Sequence, residues 1–180
     1  AASVGNWIMR HEPEIWARTA KYVMLPTYLN YKLTGNLIDS ASNQIGHIPF
    51  DYKNRRWMKP GSLTRCFCDV PNEKLCDLVP SGTVIGTITD EVCALTGIPA
   101  GLPLISTGSD KGCETLGLAV VDSDKASISL GTTATIQFST TEYVEPQQFL
   151  PAYPGVLNDH YNPEIEIYRG LWLLSWFVKE

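Results

Sequence analysis

The apolar positions of the first third of the chain recur at helical spacing. This pattern predicts a helix that Pro13 begins and that runs from Glu14 to Leu25, because proline suits the first turn of a helix, where its missing N–H leaves no bond unmade. Pro26 then breaks the pattern. A second helix is predicted from Thr27 to Leu33, with Gly35 placed to end it.

From residue 80 onward the pattern changes to short β-branched runs separated by glycines. These runs are predicted as strands: Thr83–Thr89, Leu104–Thr107, Ala126–Leu130 and Ala134–Phe138. The last two flank Gly131-Thr132-Thr133 and therefore predict a β-hairpin. Asp90 is predicted to cap a short helix that Gly97 ends, and a further helix is predicted from Lys111 to about Leu118.

The remaining segments carry weaker patterns. Ile45 to Phe50 predicts a short strand or an ordered loop, Asp51 to Trp57 a polar turn, and Ser62 to Cys68 a short helix. Residues 142–163 hold four prolines and few periodic apolar residues, which predicts an irregular surface loop. The apolar run Leu171–Val178 predicts a helix that needs something to pack on, so we expect the protein to continue beyond this chain.

Composition and charge argue against several classes of protein. Of the 180 residues, 44% are hydrophobic, which is enough to close a core and argues against disorder. The net charge is −5 and the longest basic run is Arg55-Arg56, so a nucleic-acid partner is not expected. No apolar run approaches the ~18 residues of a membrane helix. The first residues lack the pattern of a signal peptide, and a membrane partner is not expected either.

The five cysteines favour free thiols over a disulfide framework. Their odd number and irregular spacing are untypical of a secreted scaffold, and they predict a cytoplasmic protein. Cys66, Cys68 and Cys76 are an alternative candidate for part of a metal site, but a fourth ligand at a recognised spacing is missing. We therefore assign no metal ligand. His47 has no partner in its segment and is interpreted as a structural histidine rather than a substrate contact.

Asp110 is the first candidate for chemistry. In Gly108-Ser109-Asp110, a predicted strand turns at a glycine and delivers the aspartate to the start of a helix. Backbone N–H groups at that position favour the ionised carboxylate, which is suited to accept a proton from a substrate hydroxyl. An equally simple interpretation is that Asp110 caps the helix and does nothing else, since aspartate is a preferred cap. The residues alone leave both interpretations open.

The turn Ser129-Leu130-Gly131-Thr132-Thr133 is the second candidate. A small-residue turn between strands can aim backbone N–H groups and two hydroxyls at an anion. A simple hairpin turn would use the same residues. No Walker loop and no G-x-G-x-x-G pattern accompanies it.

Together the two features form a strand–Gly108-Ser109-Asp110–helix followed, about twenty residues later, by a strand–G-T-T–strand. This order resembles the centre of the FGGY carbohydrate kinases. Further segments resemble motifs of that family in the same order: Trp7–Glu14 (W-L-x-x-x-x-P-E), Tyr28–Gly35 (D-Y-L-x-Y-x-L-T-G), Asp39–Asn43 with Phe50-Asp51 and Arg56-Trp57 (T-D-x-S-N-A-S…D-x-x-x-R-x-W), Val84–Gly86 with Thr96–Pro103 (x-x-G-x-l-t…t-G-L-x-x-G-x-P-V), and Gly170 with Trp176. The resemblance covers nearly the whole chain.

The resemblance implies an α/β, actin-like (hexokinase/Hsp70, ribonuclease H-like) fold of which this chain is a part. Residues 1–106 would form the end of the sugar-binding domain and residues 107–180 the start of the ATP-binding domain. The implied reaction is phosphorylation of a sugar or polyol hydroxyl by ATP with Mg²⁺. The resemblance also implies site roles: Asp110 as general base, Gly131, Thr132 and Thr133 on the ATP phosphates, and Asn43 and Lys111 near the sugar.

Departures from the family pattern bear on the substrate. Lys111 stands where the family usually has glutamine, and Gln44 where it has alanine, so the sugar is left unnamed. The family's N-terminal D-x-G-T hairpin and its adenosine segment are not within residues 1–180, and we expect these residues alone to be inactive. A non-catalytic sugar-binding or regulatory protein on the same fold is the alternative. The resemblance allows a homodimer.

Overall fold

A computed structural model describes residues 3–46, 49–147 and 150–179. His47 therefore lies outside the described residues. The chain folds into two compact units, Ala1–Thr107 and Gly108–Glu180.

The elements follow one another along the chain with short connections. The helices are α1 (Val4–His11), α2 (Pro13–Arg18), α3 (Leu25–Thr34), α4 (Asp90–Thr96), α5 (Asp110–Gly117) and α6 (Trp172–Lys179). The strands are β1 (Ile38–Ser40), β2 (Phe50–Asp51), β3 (Arg56–Trp57), β4 (Asp77–Val79), β5 (Val84–Thr87), β6 (Pro103–Ile105), β7 (Ala126–Leu130), β8 (Ala134–Phe138), β9 (Tyr153–Pro154), β10 (Tyr161–Asn162) and β11 (Glu164–Ile167). Short 3₁₀ turns cover Ala41–Asn43, Leu63–Phe67 and Asn72–Lys74. None of the described helices is both long enough and apolar enough to cross a bilayer.

Prolines and a glycine set the helix ends in the first unit. Pro13 is the first residue of α2, as predicted, but α2 ends at Arg18 rather than Leu25. The N–H of Tyr22 instead donates to the carbonyl of Lys74 at 2.7 Å, so contacts with a distant segment hold the chain extended there. Pro26 lies in the first turn of α3, and Gly35 ends this helix with φ of 81°, the left-handed conformation that glycine adopts readily.

The first unit packs around a small apolar core and a set of short strand pairs. Cys68, Val70 and Leu75 are buried, with Trp16, Tyr22 and Trp57 packed against them. β1 pairs in parallel with β4, while β2 with β3 and β5 with β6 form antiparallel pairs. The segment Asp51–Trp57, expected to be a polar turn, begins in β2 and ends in β3, and residues 52–55 form the turn between these two-residue strands. The short helix expected from Ser62 is confirmed as the 3₁₀ turn Leu63–Phe67.

The cap of α4 differs from the sequence prediction by one residue. Asp90 is the first residue of the helix, and the hydroxyl of Thr89 is the cap, since it accepts a hydrogen bond from the N–H of Val92. Both residue types cap well. Here the threonine stands in the extended conformation that a cap requires, with ψ of 160°.

The second unit is built on a three-stranded antiparallel sheet in the order β11-β8-β7. The hairpin of β7 and β8 is confirmed with its predicted bounds, Leu130 pairing with Ala134. The prediction of an irregular surface loop over 142–163 was wrong in part. β9 and β10 form a short antiparallel pair there, and Ala152 is fully buried.

Candidate functional site

The start of α5 separates the cap from the aspartate. The hydroxyl of Ser109 accepts the N–H of Gly112 at 3.1 Å, so Ser109 is the cap. Asp110 is the first residue of the helix and is exposed. The interpretation of Asp110 as the cap was therefore wrong, for the same reason as at Asp90: a hydroxyl residue one position earlier takes the capping bond.

The carboxylate of Asp110 has one oxygen engaged and one open. Oδ1 accepts the backbone N–H of Lys111 at 2.7 Å. Within the described ranges, no group donates a hydrogen bond to Oδ2. The first turn of a helix favours a negative charge. Asp110 thus presents a carboxylate oxygen that can accept a proton from a ligand.

Lys111 connects α5 to β7. Its ammonium donates to both carboxylate oxygens of Glu114, at 2.9 and 3.1 Å, and to the hydroxyl of Ser129 at 2.9 Å. Hydrogen bonding to Glu114 raises the pKa of Lys111, burial lowers it, and the charges of Glu114 and Asp110 raise it further. Lys111 is therefore a cation beside Asp110 that ties this helix to the strand leading into the glycine turn.

The turn between β7 and β8 holds two N–H groups without an acceptor in the described part of the chain. The N–H of Gly131 donates to the carbonyl of Thr133 at 2.9 Å. Among the described residues, nothing accepts the N–H of Thr132 or of Thr133. A Cβ at Gly131 would have only the Thr133 carbonyl oxygen within 4 Å, at 3.9 Å, so the space beside this glycine is open. An open glycine beside unpaired N–H groups fits an anion such as a phosphate.

Buried polar side chains connect α5 to the strands β7 and β8. The sequence analysis did not predict this network. The hydroxyl of Thr115 donates to the side-chain carbonyl of Gln137 at 2.6 Å and lies 3.0 Å from the hydroxyl of Ser127. Burial raises the pKa of Glu164, whereas hydrogen bonds to Gln137 and Thr135 lower it. The alternation of residues along β7 and β8 could have indicated it. Thr135 and Gln137 are two residues apart and therefore lie on one face of the sheet, and both are buried, as is Ser127.

Asn43 lies in the other unit, at the end of the 3₁₀ turn after β1. Its amide donates to both oxygens of Asp39, at 3.0 and 3.2 Å. Asp39 is buried and also accepts the hydroxyl of Thr27 at 2.6 Å and the N–H of Ser40 at 2.8 Å. In the described part of the chain, no group is hydrogen-bonded to Oδ1 of Asn43. Asp39 therefore orients Asn43, a role that the spacing of four residues in Asp39–Asn43 could have suggested.

Buried hydroxyls surround the last residue of the first unit. The hydroxyls of Ser42 and Ser81 lie within hydrogen-bond distance of the carbonyl oxygen of Thr107, at 3.0 and 2.9 Å, and of each other. Ser106 donates to the carbonyl of Pro80 at 3.0 Å. The chain is thus anchored three residues before Asp110.

The structure brings the predicted residues together in part. Asp110, Lys111 and the turn Gly131–Thr133 belong to the second unit, where the Lys111–Ser129 bond links helix to hairpin. Asn43 belongs to the first unit.

The cysteines behave as separate thiols. Cys66 is exposed and Cys76 buried, and both are free. No group of three or more candidate ligands that could hold a metal ion occurs among the described residues. Burial, with the nearby charge of Asp39, raises the pKa of Cys76 to about 11, so this thiol is neutral at physiological pH.

Comparison with known proteins gives one family. Residues 1–117 match the profile described as "FGGY family of carbohydrate kinases, N-terminal domain". An uncharacterized sugar kinase of Escherichia coli (strain K12) is 33% identical over 150 residues, which are 83% of this chain and 30% of that protein. The xylulose kinase of the same organism is 28% identical over 175 residues, covering 96% of this chain and 35% of that protein.

A solved structure agrees with these matches. The ligand-bound xylulose kinase from Lactobacillus acidophilus superposes with a TM-score of 0.81 at 22% identity, covering 95% of this chain and 34% of that one. At this identity the likeness concerns the fold, and it confirms the α/β, actin-like fold expected from the sequence. The chain spans about a third of the length of the relatives that it matches.

Proposed function

The chain belongs to the FGGY family of carbohydrate kinases, and from this we propose that the protein transfers a phosphoryl group from ATP to a hydroxyl of a sugar or polyol. The observation that carries the proposal is the geometry of Asp110. Its Oδ2 accepts no hydrogen bond from the described residues, its helix is capped by a different residue, and its carboxylate lies at the start of a helix. This is the arrangement that a general base requires.

Asp110 is the proposed base. Its Oδ2 accepts the proton that the attacking hydroxyl loses as the hydroxyl oxygen bonds to the γ-phosphorus and ADP departs with the bridging oxygen. Such reactions depend mainly on positioning and on electrostatic stabilisation of the transferred group. The bond from Oδ1 to the N–H of Lys111 at 2.7 Å holds the carboxylate in one orientation for this task.

The turn Gly131–Thr133 is proposed to bind the ATP phosphates. The unpaired N–H groups of Thr132 and Thr133 and their hydroxyls would donate to phosphate oxygens, and the open side of Gly131 would admit them. Mg²⁺ bound together with ATP would supply positive charge to offset the charge of the transferred group.

Asn43 and Lys111 are proposed to lie at the sugar. Asn43 is the stronger candidate, because Asp39 holds its amide while its Oδ1 is left to accept a hydroxyl. Lys111 already bonds to Glu114 and Ser129. We also propose that residues 1–106 belong to the sugar-binding domain and 107–180 to the ATP-binding domain. The change of unit at Thr107 supports this boundary, whereas the match to the N-terminal domain profile runs on to residue 117. A cytoplasmic location and a homodimer stay predictions of the sequence.

The test is a substrate panel with the whole protein that contains these residues. Purified protein, ATP and Mg²⁺ are incubated with pentoses, hexoses, their ketoses and polyols, and ADP release is measured. Xylulose is the first compound to include, because two of the similar proteins named above are xylulose kinases. We expect sugar-dependent ADP release with one or a few members of the panel.

Two results would contradict the proposal. Sugar binding seen by calorimetry without ADP release from any member would favour the non-catalytic alternative. ADP release that an Asp110→Asn variant retains would reject Asp110 as the base while leaving a kinase in place.

A further inference from the structure

Gly170 lies where the chain passes from β11 to α6, directly against the turn Gly131–Thr133. Its N–H donates to the carbonyl of Thr132 at 2.9 Å, and the N–H of Leu171 donates to the carbonyl of Gly131 at 3.0 Å. Ile167, at the end of β11, pairs with Ala134 at the start of β8. The sheet therefore delivers Gly170 to the turn three residues later.

Only glycine fits this contact. A Cβ at position 170 would stand 1.9 Å from the carbonyl oxygen of Gly131 and 2.6 Å from the carbonyl carbon and oxygen of Thr132. These are backbone atoms, which cannot swing aside as the end of a side chain can. By contrast, a Cβ at Gly131 would meet nothing closer than 3.9 Å. The two glycines thus have different reasons to be glycine: one permits a backbone contact, and the other leaves space.

The contact also determines which way the turn faces. In a trans peptide the C=O and the N–H point to opposite sides. Because the carbonyls of Gly131 and Thr132 are bonded to the start of α6, the N–H groups of Thr132 and Thr133 point away from α6. These are the N–H groups for which the described residues offer no acceptor.

We propose that Gly170 is a positioning residue for phosphate binding: by admitting the start of α6 against two carbonyls of the turn, it fixes the N–H groups of Thr132 and Thr133 toward the ligand. Gly170 acts through the turn. The inference rests on the proposed function, since it assumes that the turn binds phosphate.

The experiment uses the whole protein with ADP and Mg²⁺ as the probe. Gly170→Ala is compared with Gly131→Ala and with Gly117→Ala. Gly117 is the control, because a Cβ there would have no atom within 4 Å. Binding is measured by calorimetry. Hydrogen exchange of the amides of residues 170 and 171 is measured by mass spectrometry without ligand, as a readout that does not depend on activity.

We expect Gly170→Ala to weaken ADP binding at least tenfold and to speed exchange of the two amides, because both lose their acceptors. Gly131→Ala is expected to weaken ADP binding while exchange at 170 and 171 stays as in wild type. Gly117→Ala is expected to change neither. Faster exchange together with weaker binding is the signature of a positioning role.

The variants distinguish the positioning role of Gly170 from phosphate binding by the turn Gly131–Thr133. If Gly131→Ala loses affinity while Gly170→Ala binds ADP within twofold of wild type, the positioning role is wrong and the phosphate turn stands. If Gly131→Ala binds like wild type, the turn is not the phosphate site, and the proposed function loses that part. Should Gly170→Ala fail to fold, Leu171→Pro replaces it, since proline removes the donor to Gly131 and is tolerated near a helix start. Unchanged ADP affinity in Leu171→Pro would then overturn the inference.

Discussion

At the scale of single residues, a serine or threonine directly before an aspartate caps the helix, so the carboxylate of the aspartate is not needed for capping. Ser109 caps α5 and Thr89 caps α4, and in each case the following aspartate occupies the first helical position. The cap side chain takes the orphan N–H near the helix start. Asp110 therefore has the favourable electrostatics of a helix N-terminus, while its carboxylate is not used for capping.

These separate roles predict the stability of two variants. Ser109→Ala should lower the free energy of unfolding by about 1 kcal/mol, the usual cost of losing a cap, and Ser109→Asn should restore most of it. Asp110→Asn should change stability much less. Chemical denaturation midpoints of the whole protein measure both. If Asp110→Asn were the destabilising change and Ser109→Ala the neutral one, Asp110 would be the cap after all.

The same residues mark a limit of prediction from sequence. Position and residue type placed a cap at Asp90 and a candidate cap at Asp110, yet both bonds belong to the preceding hydroxyl. Asp, Ser and Thr are all good caps. Which one adopts the extended backbone conformation of a cap depends on how the chain enters the helix, and the residue types do not decide this.

At the scale of elements, hydrogen bonds of buried side chains hold α5 against the sheet, and beside them the carboxyl group of Glu164 is partly desolvated. Thr115, Ser127 and Gln137 are hydrogen-bonded to one another. The half-buried side chain of Glu164 is hydrogen-bonded to Gln137. Burial raises the pKa of Glu164, the charge of Glu166 raises it further, and the charge of Lys111 lowers it. A carboxyl whose pKa is higher in the folded protein stabilises the fold when protonated. That stabilisation is complete below the ordinary pKa of glutamate and is lost as pH rises through the raised value.

Glu164→Gln should therefore raise the melting temperature at pH 7, where the wild-type carboxylate is charged and partly desolvated. The gain should shrink toward pH 4, where Glu164 carries a proton. Glu142→Gln, at an exposed position, serves as the matched control and should show no such pH dependence. Melting curves from pH 4 to pH 7 decide the matter. A gain of equal size at both pH values would contradict this account of Glu164.

Elements with strong local patterns were predictable, and those made by distant contacts were not. The β7–β8 hairpin has its predicted bounds, because alternation and a small-residue turn determine it locally. The parallel pairing of β1 with β4 and the two-residue strands β9 and β10 left no such pattern. The end of α2 at Arg18 depends on Lys74 and Leu75, which accept bonds from Tyr22 and Lys21.

At the scale of the whole molecule, candidate site residues are distributed over two compact units. Asp110 and the glycine turn lie in the second unit, and Asn43 lies in the first. The sequence placed Asp110 at the start of a helix and the glycine turn in a hairpin, and the family resemblance supplied the roles, including that of Asn43. The network around Gln137 and the contact at Gly170 needed coordinates, because they join segments more than twenty residues apart.

Residues 1–180 expressed alone should not phosphorylate sugars. They correspond to about a third of the relatives' length, and positioning of both substrates supplies much of the rate in such reactions. The measurement is ADP release with the substrate that the panel identifies, with the whole protein as the positive control. Turnover by the fragment at a rate close to that of the whole protein would show that no further part of the family's architecture is needed.

The central claim is that Asp110 is the general base, and kcat of Asp110→Asn in the whole protein tests it most directly. The matched control is Asp90→Asn, since Asp90 holds the same first helical position behind a hydroxyl cap. We predict that Asp110→Asn lowers kcat by about 10²–10⁴-fold, with melting temperature and sugar Kd close to wild type, while Asp90→Asn keeps normal kcat. If Asp110→Asn retains more than about a tenth of wild-type kcat, a loss of only ~1.4 kcal/mol of transition-state stabilisation, Asp110 is not the base.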